Sequence, residues 1–216
     1  MCNDTTLDME KLELLVVDWN NTAPGARDAL LEYVTPWLYF IANTDFFEKK
    51  QSINTAIRIF GNSEDISQDV SEQLLLLYPT PEKGYFKHKK FLGAPHLKSE
   101  IRLMMLGVIA KKAEKFTLDR NSINKDEYIN SYNITEQVSD DDMQNIDVFI
   151  ALATIFKNIP EKDNRKLVCY DLKVIEGATF EEVAMIMGLS LSTVKKYVSY
   201  IELKVISKLG GMNGHI

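Results

Sequence analysis

The chain has 216 residues and a formal net charge of −6, with 25 Lys and Arg against 31 Asp and Glu. Its 45% apolar content is enough for a packed core and argues against wholesale disorder. The two cysteines, Cys2 and Cys169, offer neither a disulfide framework nor a metal-ligand spacing, and no apolar run is long enough to cross a membrane.

Asp4, Asp8 and Glu10 stand near the start, where a secretion signal carries bases, so the expected compartment is the reducing cytoplasm. Leu12 to Trp19 reads as a helix and Asn20 to Gly25 as a break. A second helix runs from Ala26 to about Ala42, with Leu30, Leu31, Val34, Leu38 and Ile41 on one face. Pro36 is expected to kink it or to mark a new start. Ser52 to Phe60 is a further helical piece, ended by Gly61-Asn62. From Ser63 to Tyr78, Ile66, Val70, Leu74 and Leu77 recur at helical spacing. Ser63 can cap this helix, and Glu64 and Asp65 suit the positive end of its dipole. Opposite the stripe lies a polar face of Asp65, Gln68, Asp69 and Glu72, which taken alone is a solvated surface.

Pro79 to Gly84 is a turn, after which the balance becomes basic as far as Lys115. Lys83, Lys87, Lys89 and Lys90 are interleaved with Tyr85, Phe86 and Phe91. Bases alternating with aromatics suit single-stranded DNA, because rings stack on unpaired bases while lysines follow the backbone. A lysine-rich solvated face is the alternative. Gly93-Ala94-Pro95 interrupts the chain, and a helix follows from about His96 to Lys115, with Leu97, Ile101, Met104, Met105, Val108 and Ile109 inward. Lys98, Arg102, Lys111 and Lys112 are its candidate DNA-contacting bases.

Thr117 to Asp147 carries eight acids against Arg120 and Lys125 and sustains no helical period, so it reads as an acidic linker. Val148 to Lys157 is an apolar helix, Pro160 suits a first helical position, and Arg165 to Ile175 continues the unit. In Gly177 to Val198, Thr179 and Glu182 form a capping box. Val183, Ile186 and Met187 make an apolar face, and Gly188 stands where a helix must stop in a left-handed turn. Ser190 can cap a second helix with Val194, Val198 and Ile201 buried. Ala184 is small where two steeply crossed helices would come closest. Together these make a helix-turn-helix, whose second helix shows Ser192, Thr193, Lys195, Lys196 and Tyr197 outward. Hydroxyls there can bond bases or phosphates, and lysines suit phosphates. With a net negative chain, the DNA-facing bases must be segregated or the affinity must come mainly from a partner.

Three words in this region resemble the C-terminal domain of bacterial sigma factors of the extracytoplasmic-function type. They are Ile159-Pro160-Glu161-Lys162-Asp163-Asn164-Arg165, Glu176 to Ala184, and Gly188 to Val198, the last being especially similar to the iron-citrate-type branch. A fourth, Glu64-Asp65-Ile66-Ser67-Gln68-Asp69-Val70, is similar to a word in the second conserved region of the same family. The resemblance implies that Asp65, Gln68 and Asp69 dock on the clamp helices of core RNA polymerase, and Glu72, on the same polar face, is assigned to that docking surface with them. It further implies that the Lys98 to Lys115 segment contacts the −10 promoter element and the helix from Leu191 the −35 element. The family's linker enters the RNA-exit path, and members of the branch are often held by a membrane-anchored anti-sigma protein.

His88, His96 and His215 share no metal-binding spacing with Cys or carboxylates, and no phosphate-cradling glycine loop follows a strand. Neither an enzyme nor a cofactor is therefore expected. The expected architecture is all-α, with a polymerase- and −10-binding domain over 8–116, an acidic linker over 117–147 and a helix-turn-helix domain over 148–209. Two other functions stay open: a helix-turn-helix regulator acting without core polymerase, and a degenerate sigma-like protein that cannot open promoters.

Overall fold

The computed structural model describes residues 7–43, 63–78, 88–122, 159–160 and 163–212. Among these residues the fold is all-α, with seven α-helices, one π-helical turn and no strand. The expected helices at Ser52 to Phe60 and Val148 to Lys157, the turn at Pro79 to Gly84 and the acidic linker from 123 on lie outside the described residues, while 117–122, expected to begin that linker, is the helical end of the long helix from Ala94.

Helix α1 (Met9–Asn20) starts at Asp8, whose carboxylate accepts the amides of Glu10 and Lys11. Leu12, Val16 and Trp19 recur three to four residues apart and are buried. Helix α2 (Ala26–Asn43) runs through Pro36. An interior proline costs a helix about 3 kcal/mol, and here the burial of Leu30, Val34, Leu38 and Ile41 outweighs it. Helix α3 (Ser63–Leu75) sends Ile66, Val70 and Leu74 into the same core.

Helix α4 (Ala94–Ser122) is the central element. Its start is fixed by side chains of α1. Glu13 Oε2 accepts the Ala94 amide at 2.6 Å, a side-chain cap from another helix. Asn20 bonds both backbone groups of Phe91, at 2.7 and 2.9 Å, and the Trp19 indole donates to the Lys89 carbonyl at 2.9 Å. Gly93, at φ +139, makes the turn into α4, and Pro95 is accommodated in the helix's first turn. Gly93-Ala94-Pro95 is thus where the helix begins, two residues earlier than expected.

One side of α4 completes the first core with Leu97, Ile101, Met105 and Ile109. The other meets a second group of helices. Helix α5 (Asn164–Tyr170) runs directly into a π-helical turn (Asp171–Ile175), followed by α6 (Phe180–Met187) and α7 (Leu191–Met212). Val168, Cys169, Leu172, Val183, Met187, Val194 and Val198 form their core. Leu103 of α4 packs against it, joining the two groups. Cys169 is wholly inside, and burial pushes its thiol up to about 11, so it behaves as a small core residue.

Candidate nucleic-acid interface

The α6–α7 pair is built by local chemistry. Thr179 Oγ1 accepts the Glu182 amide at 3.2 Å and Glu182 Oε2 accepts the Thr179 amide at 2.7 Å, so the expected capping box is present. The Thr179 hydrogen bonds also hold the Glu182 carboxyl below its ordinary range. Gly188 adopts φ 59, ψ 40. The Leu189 amide returns to the Ala184 carbonyl at 3.0 Å and the Gly188 amide to the Met185 carbonyl at 3.3 Å, a Schellman closure. Ser190 Oγ then accepts the Thr193 amide at 3.2 Å and starts α7. Val194, Val198 and Ile201 point inward.

On the outer side of α7, Ser192, Lys195 and Lys196 are exposed. Thr193 is half-buried, and its hydroxyl lies 2.8 Å from that of Ser190, within the cap. Tyr197 is also half-buried and packs on the second core. Lys166 lies 5.7 Å from its ring. Lys195 lies 5.6 Å from the Phe180 ring, and Lys173 shares that ring at 5.1 Å. Lys173 therefore joins the basic patch. Only its sequence distance hid it, since the aromatic that unites the two lysines sits on a third element.

The polar face of α3 lies opposite its buried stripe. Asp65, Gln68 and Glu72 are exposed, with Gln68 donating to Glu72 at 3.2 Å. Asp69 is half-buried and pairs with Lys112 of α4 at 3.0 Å. A solvent-accessible pair of this kind is worth about 0–1 kcal/mol, so a partner can displace it cheaply.

The bases of α4 divide into two groups. Lys111 is exposed and Lys112 is held by Asp69. Lys98 and Arg102 face the second group of helices instead of solvent. Lys98 Nζ donates to Glu176 Oε2 at 2.8 Å. Arg102 is 5% exposed, donates to Asp171 Oδ2 at 3.1 Å and pairs with Glu176 as well. In this arrangement Arg102 is not a surface base. The carboxylates that cover it come from about seventy residues further along the chain. The π-helical turn aims them. Its wider ring closes when the Glu176 amide reaches the Asp171 carbonyl at 3.0 Å. That bond brings the two acids to one side, whereas in an α-helix residues five apart lie about 1.4 turns apart.

Burial raises the Asp171 carboxyl above its ordinary range, and Arg102 offsets this only in part. Burial would raise Glu176 too, but its bonds to Lys98 and Arg102 outweigh that and hold it low. Phe91 also departs from its expected role. It is 3% exposed, packs against Trp19 with ring centroids 5.7 Å apart, and stacks on no solvent-facing surface. Tyr85 and Phe86 lie outside the described residues.

Deeper in the same seam, Glu100 pairs with Lys89 at 2.8 Å and accepts both contacts from Asn164, at 3.0 and 3.2 Å. His96 lies 3.8 Å from Glu100, and burial lowers its pKa. Among the described residues, no group of three or more His, Cys, Asp or Glu could hold a metal ion, and no helix is long and apolar enough to cross a membrane. Compared with known proteins, the chain matches no protein-family model, no curated protein and no solved structure.

Proposed function

We propose that the chain is a sigma-like transcription initiation factor of the extracytoplasmic-function type. The α6–turn–α7 pair is its helix-turn-helix and reads −35 DNA from the major groove. The polar face of α3 docks on core RNA polymerase, and α4 contributes to −10 recognition. The chain then comprises two helical domains joined by the acidic linker. RNA synthesis belongs to the polymerase, while this chain supplies position and sequence choice.

The observation that carries this reading is the outer side of α7. Ser192, Lys195 and Lys196 are exposed on the second helix of a pair whose caps and left-handed glycine fix its geometry. In promoter binding by the chain on core polymerase, Lys195→Ala and Lys196→Ala should each weaken affinity and lower the salt slope by about 0.9, one phosphate contact. An unchanged slope removes α7 from the DNA interface.

The burial of Arg102 and Phe91 favours a second reading, a sigma-like protein that binds polymerase but does not open promoters. Transcription from supercoiled templates with purified core enzyme separates the two. Transcript supports an initiation factor, and stable binding without transcript supports the second reading.

A further inference from the structure

A cleft of about 380 Å³ runs along α4, flanked by residues of α3 and α5. That volume suits a small organic molecule. Glu100, Leu103, Met104, Gly107 and Lys111 line it from one face of α4, at the three- and four-residue spacing that a shared face requires. From Glu100 to Lys111 the helix rises about 16 Å. The two ends differ. At one, the Glu100 carboxylate is buried and already engaged by Lys89 and Asn164. At the other, Lys111 is exposed, and among the described residues no carboxylate pairs with it. Its neighbour Lys112 takes Asp69. Between the ends, Leu103 and Met104 give an apolar floor beside Leu167 of α5. Gly107 interrupts that floor. A Cβ built there meets no atom within 4 Å, so packing does not demand a glycine. Glycine also weakens a helix interior relative to alanine. What it does here is keep the cleft open beside Lys111.

We propose that this cleft binds a small organic carboxylate with an aliphatic body, its tail on Leu103, Met104 and Leu167 and its carboxylate at Lys111. The charges of the lining select the class. Two ammonium groups, Lys89 and Lys111, stand against one carboxylate, Glu100, so one positive charge is in excess. With Lys89 committed to Glu100, that charge belongs to Lys111. One lysine at the mouth of an apolar cleft matches one carboxylate. A phosphate is held better by a guanidinium fork, and among the described residues no arginine lines the cleft. An aliphatic amine would meet repulsion at Lys111 and find Glu100 already engaged. Removal of the tail from water supplies most of the binding energy, and the charge sets its orientation. The proposal goes beyond the DNA-binding reading and does not depend on it.

The test uses the full chain with its methionine methyl groups labelled with carbon-13, titrated with sodium octanoate and followed by NMR. Met104 lines the cleft, and Met185, exposed on α6, lies outside it. Met104→Leu and Met185→Leu identify the two signals by their loss. The Met104 signal should shift and saturate with a Kd of about 1 mM, the range expected of a ligand of about ten heavy atoms, while Met185 stays in place. Octylammonium, the same body with the opposite charge, should bind about tenfold more weakly. Lys111→Gln should weaken octanoate about threefold, as loss of an exposed ion pair allows. Gly107→Leu grows a side chain into the open space and should abolish the response, with circular dichroism reporting that the chain is folded. If that variant does not fold, octylammonium and Lys111→Gln carry the test. The site is overturned if Met104 does not respond to octanoate or if Met185 responds alongside it. It is equally overturned if octylammonium binds as tightly, if Lys111→Gln changes nothing, or if a folded Gly107→Leu chain keeps the response.

Discussion

At Gly188 the backbone sits in the left-handed region, and a Cβ built there meets no atom within 4 Å. Gly188→Ala therefore tests backbone conformation apart from packing. It should cost about 1 kcal/mol in urea denaturation, and a neutral result would mean that the turn relaxes to another conformation. Glu176 offers a test through pH. Its carboxyl is held below the ordinary value of 4.5, so its stabilising contribution is complete above that value and is lost as pH falls through the lower folded-state value. Glu176→Gln should destabilise the chain by about 1 kcal/mol at neutral pH, and the gap between variant and wild type should close as pH drops below 4.5. A gap that persists in acid would show that the Glu176 charge is not what stabilises. Thr179, Gly188 and Ser190 were legible in the sequence because each acts within a few residues of itself. Arg102 was not, since nothing local in α4 shows that Asp171 and Glu176 will cover it.

Among the elements, α7 separates its two faces cleanly. Ile201 is fully buried, whereas Leu203 is 67% exposed two residues later. Ile201→Ala should cost about 2–4 kcal/mol by cavity formation, while Leu203→Ala stays within about 0.5 kcal/mol. Similar losses at both positions in chemical denaturation would mean that α7 is rotated from this placement. Helix α4 shows the limit of periodicity. Its apolar stripe placed Leu97, Ile101 and Met105 correctly in the first core. Its second buried side carries His96, Glu100 and Arg102, polar residues that no apolar periodicity marks as inward. They are inside because α4 lies between two groups of helices, a fact of long-range packing. In α2, by contrast, Pro36 does not mark a new start: one helix runs through it, with Leu30, Val34, Leu38 and Ile41 buried.

For the whole molecule, a net charge of −6 is compatible with the proposed DNA-binding surface if the exposed bases are segregated on one face. Lys195 and Lys196 are exposed on α7, Lys98 and Arg102 are covered at the junction, and Lys112 is engaged by Asp69. The acidic face of α3 lies outside that junction, so the chain can present it to another protein. Association with core RNA polymerase is therefore the direct test of the sigma-like reading. In size-exclusion chromatography at low salt and micromolar concentration, the full chain should co-elute with core enzyme, and Asp69→Ala should weaken that association while leaving the fold intact. A wild-type chain that elutes apart from the polymerase, or an Asp69→Ala variant that binds it with full affinity, would contradict this docking.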